Sequence, residues 1–119
     1  PYLAQQMLNA IFDIYHQGKV PSMKVLIGNL LYEYDNEFSS WWNEEKSSGS
    51  FSERERLIYG TFMEHRQGTI MSLAKQTQLS PLNVKNGLDI LLGTGVVCSL
   101  SQGQYKIGAR LFEEWVKQQ

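Results

Sequence analysis

The sequence has little of what marks a secreted or membrane-spanning protein. Its 119 residues include a single cysteine, Cys98, so an intramolecular disulfide framework is excluded and a reducing cytosol is the expected location. No apolar run approaches the ~18 residues of a spanning helix, and no secretory signal appears. The formal net charge of −1 provides no overall attraction to nucleic acid or to an anionic membrane.

Motifs for catalysis and metal binding are also lacking. There is no phosphate loop of the G-x-x-x-x-G-K-[ST] kind and no G-x-G-x-x-G. His16 and His65 are isolated from other potential ligands, and Cys98 has no histidine near it in sequence. Glu113 and Glu114 are adjacent, and adjacent helical side chains diverge by about 100°, so a solvated face is predicted instead of an acid–base pair. The chain is therefore not expected to be an enzyme, or to hold a metal or cofactor of its own.

Charge is distributed unevenly along the chain. Residues 1–50 contain three lysines and six carboxylates, whereas residues 51–119 contain eight basic and six acidic side chains. The change falls at the small-polar run SSGS, Ser47–Ser50, which is the natural linker. This pattern predicts a helical subdomain over residues 1–46, a linker over 47–50 and a second domain over 51–119.

The first segment has helical periodicity. Apolar residues from Leu3 to Ile14 recur on one helical face. Ser22 is predicted to cap a second helix with Leu26 on its buried face, and Asp35 to cap a short third helix. The third helix brings three aromatic residues together, Phe38, Trp41 and Trp42. They are interpreted as core or as a contact between subdomains, with a ligand-stacking site as the alternative.

The second segment contains clearer signals for the ends of its helices. Ser52 and Glu55 form an S-x-x-E capping box, and Gly68 is predicted to end the helix that follows. Residues 69–77 begin with a short extended piece and continue as a second helix. Ser80 is predicted to cap a third helix that has Pro81 at its first position.

The rest of this segment predicts a wing. The run GTG, residues 93–95, ends the third helix, and strand-like residues 96–100 and 105–107 flank the hairpin loop SQGQ. A last helix covers residues 109–119. The predicted fold is therefore mainly α, with a helical subdomain followed by a winged helix-turn-helix that has a small β-hairpin wing.

The outward face of the third helix leaves two uses open. That face is predicted to consist of Leu82, Asn83, Lys85, Asn86 and Asp89. The residues predicted to contact nucleic acid or a partner are Lys75, Asn83, Lys85, Asn86, Lys106 and Arg110. Even if all four cations touched phosphate, the salt slope would be only about −3.6, at ~0.9 per contact. Protein contact is therefore favoured over DNA contact, which would be weak.

Both ends of the chain resemble a known family. The N-terminal PYLAQQML, Pro1–Leu8, and the C-terminal YKIGARLFEEW, with Tyr105, Leu111, Phe112 and Trp115, are similar to STAND-type P-loop ATPases, relatives of AAA+ proteins. In that family the first motif opens a helical lid subdomain, and a winged helix follows it. The resemblance implies that the chain is a fragment whose phosphate loop and Walker B strand precede it. It also implies that Pro1 and Tyr2 lie beside the nucleotide in the parent protein.

The expected function follows from this resemblance. It implies a non-catalytic, cytoplasmic regulatory module whose winged helix docks on the ATPase core or a protein partner in a nucleotide-dependent switch. ATP or ADP and Mg would bind the parent. The alternative is a DNA-binding winged-helix module of a transcriptional or mobile-element regulator. A third interpretation is an adaptor unrelated to any ATPase.

Overall fold

The computed structural model describes Asn9, residues 22–43 and residues 50–119. Within these ranges the chain is mainly helical, with five α-helices and one three-stranded antiparallel sheet. The elements are α1 (Ser22–Trp42), α2 (Glu53–His65), β1 (Gln67–Thr69), α3 (Ile70–Thr77), α4 (Pro81–Thr94), β2 (Val97–Ser99), β3 (Gln104–Ile107) and α5 (Arg110–Lys117). Of the described helices, none combines the length and apolar character needed to cross a membrane. The helix predicted over Leu3–Ile14 and most of the predicted linker lie outside the described residues.

Helix α1 is one continuous helix, so the prediction of two helices with an Asp35 cap between them is wrong. Residues that are buried or half-buried recur at helical spacing on both sides of Asp35: Ile27, Leu31, Tyr34, Phe38 and Trp41. The Asp35 carboxylate accepts a hydrogen bond from Trp115 Nε1 at 2.9 Å. It therefore serves a tertiary contact and not a helix start. Leu26, predicted to be buried, is 40% exposed because it lies off this face.

Aromatic rings form the centre of the core around Phe112, which is fully buried. Ring centroids of Phe38 and Tyr59 lie 5.2 and 5.3 Å from that of Phe112, in edge-on geometry. Trp41 and Trp42 lie 5.7 and 5.9 Å from it. The predicted role of these two tryptophans, contact between the first and second segments, is confirmed.

An ion pair between exposed Arg66 and buried Glu113 joins the end of α2 to α5. Arg66 Nη1 donates to Glu113 Oε2, and Arg66 Nη2 donates to Glu113 Oε1 at 3.1 Å. Glu113 is only 4% exposed, so the prediction that it lies on a solvated face is wrong. This hydrogen bonding raises the pKa of Arg66 above its ordinary value. The pair compensates the cost of burying the carboxylate.

The small sheet has the order β1-β3-β2, with both pairings antiparallel. The predicted β2–β3 hairpin is confirmed, with Val97 opposite Ile107, and residues 101–103 form a short 3-10 turn between the strands. Strand β1 lies at residues 67–69, where Gly68 pairs with Tyr105. Gly68 therefore does not end α2. The helix ends at His65, because Arg66 leaves the helix with a φ of 71° while its N–H still bonds Phe62 O.

Asn9 supplies the cap of the last helix. The N-cap position of α5 is Ala109, which has no side-chain acceptor. Asn9 Oδ1 accepts from the Arg110 N–H at 3.1 Å, and Asn9 Nδ2 donates to Gly108 O at 2.8 Å. One side-chain amide thus satisfies a free N–H of the helix end from about a hundred residues away.

Helix α4 packs closely on α2 at Gly87. A Cβ at this position would lie 2.6 Å from Ile58 Cδ1 and 3.5 Å from Glu55 Oε2. Ile58 is fully buried and cannot move away into solvent. Glycine weakens a helix by about 0.8–1.0 kcal/mol relative to alanine, but here it permits the close approach of two helices.

We expect Gly87→Ala to destabilise the protein by about 1 kcal/mol. Overpacking against Ile58 costs about 1–3 kcal/mol and exceeds the gain in helix propensity of about 1 kcal/mol. Gly60 in α2 is the matched control, since it is exposed and a Cβ there meets nothing within 4 Å. Gly60→Ala should stabilise by about 0.5–1 kcal/mol. Urea denaturation midpoints measure both, and a Gly87→Ala variant as stable as Gly60→Ala would contradict the packing argument.

Candidate interaction surface on helix α4

Local sequence signals position α4 as predicted. Ser80 Oγ accepts a hydrogen bond from the Asn83 N–H at 3.2 Å, and Pro81 occupies the first helical position, where no N–H is needed. Gly95 ends the helix in the left-handed conformation, with a φ of 83°. The inward side is fully or almost fully buried: Val84, Leu88 and Leu91. The opposite side is consequently held at the surface.

We call the outward side the α4 face. It consists of the five residues predicted to be outward and one more apolar residue, all exposed: Leu82, Asn83, Lys85, Asn86, Asp89 and Ile90. Lys85 Nζ lies 3.2 Å from Asp89 Oδ2 in an i,i+4 pair, so the two charges of the face neutralise each other. Leu82 is 68% exposed and Ile90 is 43% exposed. The α4 face is therefore neutral overall and partly apolar.

A polar chain connects the α4 face to the start of α2. Arg54 Nη1 donates to Asn83 Oδ1 at 3.5 Å, and Arg54 Nε donates to Glu55 Oε2 at 2.7 Å. Glu55 Oε1 accepts from the Ser52 N–H at 3.0 Å and from Ser52 Oγ at 2.8 Å. The predicted contribution of Glu55 to the capping box is confirmed. The same carboxylate orients the arginine that contacts Asn83.

The predicted contact residues do not all converge. Three of them share the α4 face: Asn83, Lys85 and Asn86. Lys75 on α3 and Lys106 on β3 are exposed. Neither has a hydrogen-bond or ion-pair partner within the described ranges. Arg110 is half-buried, and its Nη1 donates to Asn9 O at 3.4 Å, so its guanidinium is engaged inside the fold.

Most other cations of the second segment are also engaged. Arg66 and Lys117 both lie within ion-pair distance of Glu113. Arg56 Nη1 donates to two carbonyl oxygens, of Phe51 at 2.7 Å and of Trp42 at 3.3 Å. Each of these side chains therefore has a partner within the fold, although Arg66 and Lys117 remain about half exposed.

The remaining predicted positions add no second site. Pro1, Tyr2 and His16 lie outside the described residues. His65 is exposed in the last turn of α2, and Cys98 is half-buried in β2. In the part of the chain that the structure describes, no three histidine, cysteine or acidic side chains group as metal ligands do.

Two features of the surface were missed from the sequence. Ile90 lies seven residues after Asn83, a spacing that returns a helical side chain to nearly the same direction, so periodicity contained this signal. The engagement of Arg110 by Asn9 had no sequence signal, because the residues are 101 positions apart.

Neither a family model nor a curated protein matches this chain. The α4 face is therefore interpreted from its own chemistry. Its amides can donate and accept hydrogen bonds, its ion pair is neutral overall, and its two apolar side chains offer surface for burial.

Stability should depend on the ionisation of Glu55. Burial raises the pKa of this carboxyl, but hydrogen bonds from the Ser52 N–H, from Arg54 and from Ser52 Oγ outweigh burial and hold the pKa below its ordinary value. A folded pKa below the unfolded one stabilises the protein above the unfolded pKa. That stabilisation is lost as the pH falls through the folded pKa.

We therefore expect Glu55→Gln to destabilise the protein at pH 7 by about 1–3 kcal/mol, because hydrogen bonds to a charged group are replaced by weaker ones. The difference from the unmodified protein should shrink as the pH falls below the ordinary carboxyl range. Urea unfolding from pH 7 to pH 3 measures this. Glu53→Gln, at an exposed carboxylate of the same turn, is the control. A Glu55→Gln effect that is constant with pH would contradict the assignment.

Proposed function

We propose that residues 51–119 form a winged helix-turn-helix, in which α4 occupies the recognition-helix position and the β2–β3 hairpin is the wing. The order α2-β1-α3-α4-β2-β3 and the sheet order β1-β3-β2 support this proposal. So does the tight turn between α3 and α4, where Gln78 has a φ of 63°. Residues 1–46 are proposed to form the helical subdomain that precedes it.

The α4 face is proposed to bind a protein surface. The observation that carries this proposal is the pairing of Lys85 with Asp89 at 3.2 Å, beside the exposed side chain of Leu82. The cores of protein interfaces are depleted of charge and enriched in apolar side chains. A DNA-binding face needs uncompensated cations for phosphate and donors for base edges. The α4 face fits the first description better.

The chain is further proposed to be a non-catalytic, cytoplasmic regulatory part of a STAND-like ATPase, where it docks on the ATPase core or on a protein partner. ATP or ADP and Mg would bind the parent, with Pro1 and Tyr2 beside the nucleotide. Asn9 supports a link between the two parts. It belongs to the segment that opens with PYLAQQML, and it bonds Gly108 and Arg110 at the start of α5. A displacement of that segment would thus reach the winged helix directly.

Site-specific photocrosslinking in the parent protein tests the docking proposal. A photoreactive amino acid replaces Leu82 on the α4 face, and crosslinked peptides are identified by mass spectrometry with ATP or with ADP bound. We expect a dominant crosslink to the ATPase core or to one partner protein. Its yield should change at least about threefold between ATP and ADP, which corresponds to a coupling free energy between the two sites of a fraction of a kcal/mol.

The matched control places the same group at Glu64, which is exposed near the end of α2, ten residues after the Arg54 that contacts Asn83. Equal crosslinking from the two positions would refute docking through the α4 face. A strong crosslink from position 82 that does not respond to nucleotide would support the protein contact and refute the switch.

DNA binding is the second candidate function, and the exposed positions of Lys75 and Lys106, with Asn83 and Asn86 outward on α4, favour it. Two unengaged cations give a salt slope of only about −1.8, at ~0.9 per phosphate contact. We expect no sequence-specific duplex binding near physiological salt, measured by fluorescence anisotropy against a panel of duplexes. Sub-micromolar, salt-sensitive binding that is lost in Lys85→Ala with Asn86→Ala, and retained in Lys24→Ala, would establish the DNA function instead.

A further inference from the structure

A surface groove lies between α1 and the end of α5, on elements other than α4. Its volume is about 450 Å³. Its lining includes aromatic, acidic and amide side chains, among them Tyr32, Asp35, Trp115 and Gln119. The proposed function makes no use of this groove.

The carboxylate of Asp35 is only partly engaged. Its Oδ1 accepts the hydrogen bond from Trp115 Nε1 at 2.9 Å, which fixes the orientation of the group. Its Oδ2 has no hydrogen-bond partner within the described ranges, although a carboxylate accepts through both oxygens. Asp35 is exposed, so Oδ2 is accessible from solvent. The groove therefore contains an oriented acceptor that carries a negative charge.

Tyr32 provides an aromatic wall. It precedes Asp35 by three residues on α1, which places the two side chains on neighbouring positions of one helix face. The ring is 87% exposed, and no other aromatic ring of the described residues stacks on it. Gly28, one turn earlier, contributes no side chain and leaves that end of the groove open. A large aromatic face is thus available beside the carboxylate.

Helix α1 carries more acidic than basic side chains. Glu33 and Glu37 are exposed on the same helix as Asp35. Residues 22–43 contain one basic side chain, that of Lys24. It lies eleven residues before Asp35, which separates the two positions by about 16 Å along the helix axis, at 1.5 Å per residue. Lys117 on α5 lies near Glu113. Asp35 is the charged residue of the groove lining, and no lysine or arginine of the described residues forms an ion pair with it.

We propose that this groove binds the guanidinium group of an arginine side chain from a partner protein. A guanidinium is planar and stacks on an aromatic ring, and its fork of N–H donors matches a carboxylate. Tyr32 and Asp35 offer these two contacts side by side. Gln119 Nε2 donates to Trp115 O at 3.0 Å, which leaves the Gln119 amide oxygen as a further acceptor. The arginine would neutralise the charge of Asp35, with which no cation of the described residues forms an ion pair.

The indole N–H of Trp115 is a direct reporter of the site, because it bonds the same carboxylate. In ¹⁵N–¹H correlation spectra it is assigned by comparison with Trp115→Phe. The probe is N-acetyl-arginine amide, titrated at constant ionic strength, and the neutral citrulline counterpart is the control ligand. We expect a saturable shift of the Trp115 indole with the arginine probe and none with the citrulline probe. The indoles of Trp41 and Trp42 should not move.

Three variants localise the binding. Asp35→Asn retains an acceptor for Trp115 Nε1 and removes the charge, and Tyr32→Ala removes the ring; each should weaken the arginine probe by at least about fivefold. Glu33→Gln removes a neighbouring exposed carboxylate and should change the affinity less than about twofold, as a rim charge does.

Several results would overturn the proposal. Equal shifts with arginine and citrulline probes would show that charge is not recognised. Unchanged binding in Asp35→Asn would place the cation elsewhere. A loss of affinity in Glu33→Gln as large as that in Asp35→Asn would show that the probe is attracted diffusely by an acidic helix and is not bound at a specific site. None of these three outcomes bears on the α4 face, so the proposed function is tested separately.

Discussion

The ring of Phe112 connects most of the elements that define the fold. It is fully buried, and rings from α1, from α2 and from Phe51, at the entry to α2, lie with their centroids 5.2–6.1 Å away. Edge-on and tilted pairs at this distance contribute about 0.5–1.5 kcal/mol each beyond the burial of their area. Truncation of such a ring typically costs about 3–5 kcal/mol, a large part of the stability of a small domain. Helix α1 of the first predicted segment therefore shares one core with the second predicted segment, residues 51–119.

The position of the surface of α4 depends on that core through α2. Phe112 packs on Tyr59, and the adjacent residue Ile58 lies against Gly87, so α4 is held at close range. Arg66 and Glu113 connect the distal end of α2 to α5 by two hydrogen bonds to a buried carboxylate. A rigid α2 thus connects the aromatic core to the surface that we propose as a protein contact. A displacement of α4 caused by binding would act first on α2, which packs against it, and through α2 on α5.

The sequence predicted the features that depend on local chemistry. Ser52 with Glu55, Ser80 with Pro81, and Gly95 act within one helical turn of their own positions, and the structure places helix ends at each. Asp35, Gly68 and Glu113 were interpreted by the same local rules, and there the predictions were wrong. Asp35 is bonded by Trp115, Gly68 pairs in a sheet and Glu113 pairs with Arg66. The composition of the α4 face was predicted almost completely because exposure follows periodicity; the engagement of Arg110 was not, because it requires knowing where Asn9 lies.

The cap that Asn9 provides has a consequence for the integrity of the chain. Asn9 is covalently tethered to the helix it caps, so its effective concentration at the Arg110 N–H is set by the fold and does not depend on dilution. A backbone cleavage anywhere between residue 9 and α1 would turn this intramolecular contact into an association between two molecules. The start of α5 would then lose its cap at low protein concentration, although no residue had been altered. Proteolytic cleavage between residue 9 and α1 and a point mutation of Asn9 would therefore destabilise the same helix end.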